Sequence, residues 1–138
     1  MDVEALVRQL TEGLRAARPE YPDRIASRLG ERLLFLDLVG VTHFQAEDRL
    51  TFALSEGKAY CVDHGIGLLE DILDPKHWFR IHRGSMVNMQ WIKEVAPLPG
   101  GSLCLRLKDA ANTELTVARD RARDFKARMI CQPAPRRR

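Results

Sequence analysis

"WFRIHRGSMVNMQWI", residues Trp78 to Ile92, decides how the chain is read. Arg80, His82, Arg83, Ser85 and Asn88 stand there between large apolar residues. The stretch is either a buried strand and turn carrying a few polar groups, or a surface that touches a partner. Successive strand residues point to opposite faces, so Ile81 can enter a core while Arg80 and His82 face elsewhere. The polar groups are donors of several kinds: guanidinium, imidazole, hydroxyl and amide. Arginine suits bidentate contact with guanine or phosphate, and asparagine suits adenine or phosphate. His82 and Asn88 can equally satisfy buried backbone groups at a turn.

Working outward, short apolar or alternating runs surround this stretch. "RLLFLDL" (32–38) and "VTHF" (41–44) are bounded by Gly30 and Gly40, and "RLTFAL" (49–54) alternates. These predict strands. "SEGKA" (55–59) predicts a turn at Gly57, and "AYCV" (59–62) the returning strand. A short helix is expected over Gly67–Leu73, ended by Pro75. "WIKEVAPL" (91–98), the turn "PGG" (99–101), "SLCLRLK" (102–108) and "TELTV" (113–117) continue the strand pattern.

Two segments have helical spacing instead. Val3, Leu6, Val7, Leu10 and Leu14 form one apolar stripe over residues 2–17, and Pro19 and Pro22 break it. Such a short isolated helix is marginal in water. It is expected to pack on the following domain, on a twin chain or on an upstream domain. Ala118, Ala122, Phe125 and Met129 give a second stripe over about 119–130, flanked by Arg119, Arg121, Arg123, Lys126 and Arg128. The expected organisation is a helical arm and linker over 1–23, a mostly β domain over 24–131 with small antiparallel sheets and two or three short helices, and a basic disordered tail over 132–138.

Composition excludes several classes. The chain has 138 residues, 45% hydrophobic and 30% charged, too apolar for disorder. No apolar run approaches a membrane span of roughly 20 residues, and the first residues do not resemble a signal peptide. Cys61, Cys104 and Cys131 are odd in number and scattered, which points to a reducing cytosol rather than a disulfide framework. Cys61 and His64 lack a second close pair, so no metal site is expected. Hydrolase, Walker, dinucleotide and zinc-protease motifs are missing. "DHGIG" (63–67) is a weak phosphate cradle, and no carboxylate is placed to orient a His82–Ser85 pair. Neither an enzyme nor a cofactor is expected.

The net charge of +3 hides an asymmetry. Residues 1–75 carry 8 basic and 14 acidic residues, net −6, and residues 76–138 carry 14 and 5, net +9. Positive potential is concentrated on the second half, as in a polyanion binder. Arginines in the first turn of the 119–130 helix can reach a groove while helix N–H groups face phosphate. The alternative is a solvated helix laced by Asp120–Arg123 and Asp124–Arg128 pairs.

"FRIHRGSMVNMQWIKEV" followed by "LRLKD…ELTVARDRARDFKARM" resembles the LytTR DNA-binding domain of bacterial response regulators. The upstream "LLFLDLVGVTHFQAEDRLTFAL" is similar to that family's opening strands, with an acidic turn, and the likeness covers about 24–131. The resemblance implies a mostly β fold whose loops enter successive major grooves of promoter DNA. It implies paired repeat sites, a homodimer, and service as the output of a two-component system behind a receiver domain, or as a stand-alone regulator. Carried over by position, Arg83, Arg49 and Arg119 match three contacting loops. His82 and Asn88 match motif positions that support a loop. Ser85, Arg121 and Arg123 complete the expected DNA-binding set. The chain departs from the pattern at Gly84, where Ser is usual, at Ala118, which replaces the Ser before Arg119, and at Asp120, where a second Arg is frequent. The expected function is sequence-specific binding of double-stranded DNA. The alternative is a protein-interaction or dimerisation module on the same fold.

Overall fold

The computed structural model describes residues 2–16 and 21–130, apart from the side chains of 11–16 and of Ile130. The linker at 17–20, Cys131 and the tail at 132–138 lie outside the described residues. Among the described residues there are ten strands and three α-helices. Helix α1 spans Val3–Ala16. Strands β1 (Arg24–Leu29) and β2 (Arg32–Asp37) form an antiparallel hairpin. Strands β3 (Val41–Glu47), β4 (Leu50–Ser55), β5 (Lys58–Val62), β6 (Trp78–His82) and β7 (Ser85–Asn88) form an antiparallel sheet in the order β5-β4-β3-β7-β6. Strands β8 (Ile92–Pro97), β9 (Leu103–Leu107) and β10 (Glu114–Val117) form a third sheet. Helix α2 (Ile66–Ile72) precedes β6, and helix α3 (Arg119–Ile130) follows β10.

The β7–β6 side of the five-stranded sheet is buried on both faces. Phe44, Ala53, Trp78 and Met86 enter one core with Leu69 and Leu73 from the α2 segment and Ile25 from β1. Phe79, Ile81 and Val87 enter a second core with Leu103, Leu105, Leu107 and Phe125. Neighbouring residues Trp78 and Phe79 therefore belong to different cores, which is why β6 opens on two consecutive apolar residues. Each core is tied by an aromatic pair. Phe44 and Trp78 have ring centroids 5.1 Å apart, and Phe79 meets Phe125 edge-on at 5.4 Å.

Three details differ from the sequence expectations. Residues 24–29 form a strand although Ser27 and Arg28 interrupt its apolar pattern. Ser27 is buried because its hydroxyl donates to the Cys61 carbonyl at 2.7 Å, and Arg28 bonds Asp63. The acidic "QAE" segment is not a turn. Strand β3 runs through Glu47, which pairs with Leu50 across β4, so the turn is only Asp48–Arg49. The apolar stripe of α1 is covered only in part. Val7 is buried, while Leu6 and Leu10 are each 37% exposed and Leu10 edges an open groove with Ile25 and Phe35. No helix among the described residues is long and apolar enough to cross a membrane.

Candidate nucleic-acid interface

Register brings the predicted arginines to one end of the central sheet. Strand β3 pairs with β7 antiparallel, with Gln45 opposite Ser85. The pairing continues past the strand ends, where Ala46 N–H donates to the Gly84 carbonyl at 2.8 Å. The Asp48–Arg49 turn and the Arg83–Gly84 turn therefore emerge side by side. The start of α3 joins them, because Ala118 N–H donates to the Ile81 carbonyl at 2.9 Å. Arg49, Arg83, Arg119 and Arg123 are exposed. Among the described residues, none of the four has a carboxylate within ion-pair distance.

Each turn has a local cause. Asp48 and Arg49 both have positive φ, 53° and 68°, as the two central residues of a tight primed hairpin turn do. Asparagine and glycine normally occupy such positions, and a non-glycine residue there stores strain, a pattern found at functional sites. At the second turn, Gly84 N–H donates to His82 Nδ1 at 3.1 Å. Burial, then the charges of Arg121 and Arg80, lowers the His82 pKa below its ordinary value. The ring is thus neutral with Nδ1 as acceptor, which leaves Nε2 as an N–H donor. Gly84 is not demanded by crowding. A Cβ there would meet His82 Cε1 at 3.6 Å and Ala46 Cβ at 3.9 Å, both ordinary contacts.

Two residues of the expected DNA-binding set face inward, Asn88 in the supporting place that its motif position implies. Ser85 is 3% exposed and Asn88 is 2% exposed. The Ser85 hydroxyl donates to the Phe44 carbonyl at 3.2 Å. Asn88 Nδ2 donates to Val41 O at 3.1 Å and Leu38 O at 3.4 Å, and its Oδ1 accepts from Gln90 N–H at 3.1 Å. The reason is that β7 runs between β3 and β6 with both faces covered, so its polar groups must find internal partners. Asn88 thus fastens β7 to the chain entering β3. Arg121 is also drawn inward, donating to the Arg80 carbonyl at 3.2 Å and lying 3.8 Å from Glu70. The helix pairs weighed from the sequence, Asp120–Arg123 and Asp124–Arg128, are not formed among the described residues. Arg128 instead bonds the Pro75 carbonyl and lies over the Phe79 ring at 5.2 Å.

Three residues have supporting roles that the sequence does not reveal. Arg80 bonds Glu70 at 3.0 Å and the Arg83 carbonyl at 2.6 Å. Glu70 lies ten positions upstream on α2, a separation with no sequence signature. Gly101 has a φ of +96°, and a Cβ there would come within 3.3 Å of Arg119 Cγ. Its missing side chain lets the Arg119 stem lie across the loop. The turn signal "PGG" was visible, but not what it supports. Among the described residues, no cluster of His, Cys, Asp and Glu is arranged to hold a metal.

Comparison with known proteins identifies the family and the fold. A family model described as LytTr DNA-binding domain matches residues 31–130. The chain belongs to the LytTr DNA-binding domain family. The transcriptional regulatory protein YpdB of Escherichia coli K12 is 29% identical over 99 residues, covering 72% of this chain and 40% of YpdB. The heme-containing CO-sensing transcriptional regulator RcoM 1 of Paraburkholderia xenovorans is 28% identical over 117 residues, covering 85% and 43%. The sensory transduction protein LytT of Bacillus subtilis is 25% identical over 103 residues, covering 75% and 42%. The chain thus spans about two-fifths of the length of these relatives. A solved LytTr domain of a Bacillus cereus response regulator superposes with a TM-score of 0.72 at 18% identity, covering 78% of this chain and 97% of that one. This likeness shows that the LytTr fold is shared.

Proposed function

We propose that this LytTr domain binds double-stranded promoter DNA in a sequence-specific way through the end of the central sheet. Arg83 reads from the β6–β7 turn, Arg49 from the β3–β4 turn, and Arg119 and Arg123 from the start of α3. His82 braces its turn and presents Nε2–H to an acceptor. Ser85, Asn88 and Arg121 hold the loops in place. The observation that carries this reading is the pair of backbone bonds, Ala46 to Gly84 and Ala118 to Ile81, that gather three arginine-bearing segments onto one face. Arginines free of internal carboxylates keep their full charge for phosphate or for a base edge.

The domain serves as the output of a transcription regulator, cytoplasmic and without catalytic activity of its own. Its control comes from a receiver domain or a sensor kinase system. Paired repeats would be occupied by two copies, and the half-covered stripe of Leu6 and Leu10 on α1 favours the arm as the contact between copies. The test is binding to promoter duplexes over a salt series. A steep loss of affinity with salt and a preference for one repeat over random duplex support the reading. Equal affinity for all sequences would instead favour the protein-interaction alternative.

A further inference from the structure

Two elements of the DNA face meet at one carboxylate that lies behind it. Glu70 sits on α2. Its Oε1 accepts from Arg80 Nη1 at 3.0 Å, and its Oε2 lies 3.8 Å from Arg121 Nη1. Each arginine then reaches a different backbone group. Arg80 Nη2 donates to the Arg83 carbonyl at 2.6 Å, inside the β6–β7 turn. Arg121 Nη1 donates to the Arg80 carbonyl at 3.2 Å, which fastens the first turn of α3 to β6. The two arginine side chains are only 20% and 33% exposed, so each is held against the protein rather than extended into solvent.

We infer that Glu70 is a positioning residue for DNA reading, which clamps Arg80 and Arg121 so that the Arg83 turn and the Arg119 helix start keep a fixed spacing. This inference rests on the proposed DNA face. The carboxylate has two effects. It orients two guanidiniums whose remaining N–H groups fix the reading loops. It also neutralises cations that stand one step behind the face and would otherwise be drawn to phosphate. Phosphate attraction is independent of sequence, whereas base contacts depend on loop geometry. Removing the carboxylate should therefore move the two kinds of binding in opposite directions. A residue that merely holds the fold would weaken both alike.

The experiment compares the unaltered chain with Glu70→Gln and Glu70→Asp. The probes are a duplex selected by the unaltered chain from a random pool and a random-sequence duplex of equal length, each titrated over a salt series. Glu70→Gln keeps the shape of the side chain and loses its charge. It is expected to lower the preference for the selected duplex by about tenfold, to raise affinity for random duplex, and to steepen the salt dependence by up to about one or two phosphate equivalents. Glu70→Asp keeps the charge but withdraws it by one methylene. It should lower the preference without raising random binding, and it keeps the inference testable if Glu70→Gln folds poorly. Thermal melting reports folding separately. A Glu70→Gln protein that melts normally and binds both duplexes as before would overturn the clamp alone. Equal weakening on both duplexes would also overturn it. If the unaltered chain showed no preference for any sequence, the proposed DNA face would fall first, and the clamp with it.

Discussion

The backbone N–H of Ala118 donates to the carbonyl of Ile81 at 2.9 Å. This one bond joins the last residue before α3 to the strand that ends at His82 and leads into the Arg83 turn, so a helix of the second core and a turn of the central sheet lie side by side.

Arg83 is the first test of the face. Arg83→Ala is expected to cost about 1–3 kcal/mol on the preferred sequence and to relax selectivity at one base position, if the guanidinium pairs with a base edge. A uniform loss on every sequence, with the salt slope reduced by about one, would make it a phosphate contact. Binding titrations against single-base variants of the preferred duplex distinguish the two.

Arg49 separates function from stability. Its φ of 68° is a conformation that glycine adopts without strain. Arg49→Gly should therefore leave the melting temperature within a few degrees of the unaltered chain, or raise it, while DNA affinity falls. A large loss of stability would mean that the Arg49 side chain holds the turn.

Asn88 should behave in the opposite way. Asn88→Ala leaves the Leu38 and Val41 carbonyls and the Gln90 N–H without their present partner. The cost is expected at about 2–3 kcal/mol of folding stability. The base preferences of the fraction that remains folded should not change. Urea unfolding measures the first and sequence selection the second. A shifted base preference with normal stability would place Asn88 among the reading residues.

How much of this was visible in the sequence depended on whether the cause was local. Helix α3 and strand β9 were legible because their stripes are one-element periodicities. Leu103, Leu105 and Leu107 alternate, and Ala122 and Phe125 fall on one helix face. Strand β1 was not legible, since Ser27 is buried only because β5 offers it the Cys61 carbonyl. The length of β3 was hidden for the same reason, because pairing with β4 holds the polar "QAE" segment extended. Among the expected site residues, Arg49, Arg83, Arg119 and Arg123 are exposed, as charged residues in turns and on a helix surface usually are. The inward turn of Ser85 and Arg121 depended on Phe44, Arg80 and Glu70, which the topology alone brings close.

Stability should fall on mild acidification. Burial lowers the pKa of His43, His64 and His82 below the ordinary value of 6.5, with Arg121 and Arg80 adding to the effect at His82. The unfolded chain then binds more protons than the folded one between 6.5 and the lower folded values. The stabilisation is complete above the unfolded value and is lost as pH falls from there through the folded values. Urea midpoints at a series of pH values below neutrality should decline steadily. His43→Gln should flatten part of that decline, and an unchanged profile would place the sensitivity elsewhere.

Selection from randomised duplex DNA at physiological salt asks whether one end of the central sheet reads DNA sequence. The unaltered chain is expected to enrich one recurring motif, and Arg83→Ala to lose preference at a defined position of it. A bound pool as random as the starting pool would contradict that reading.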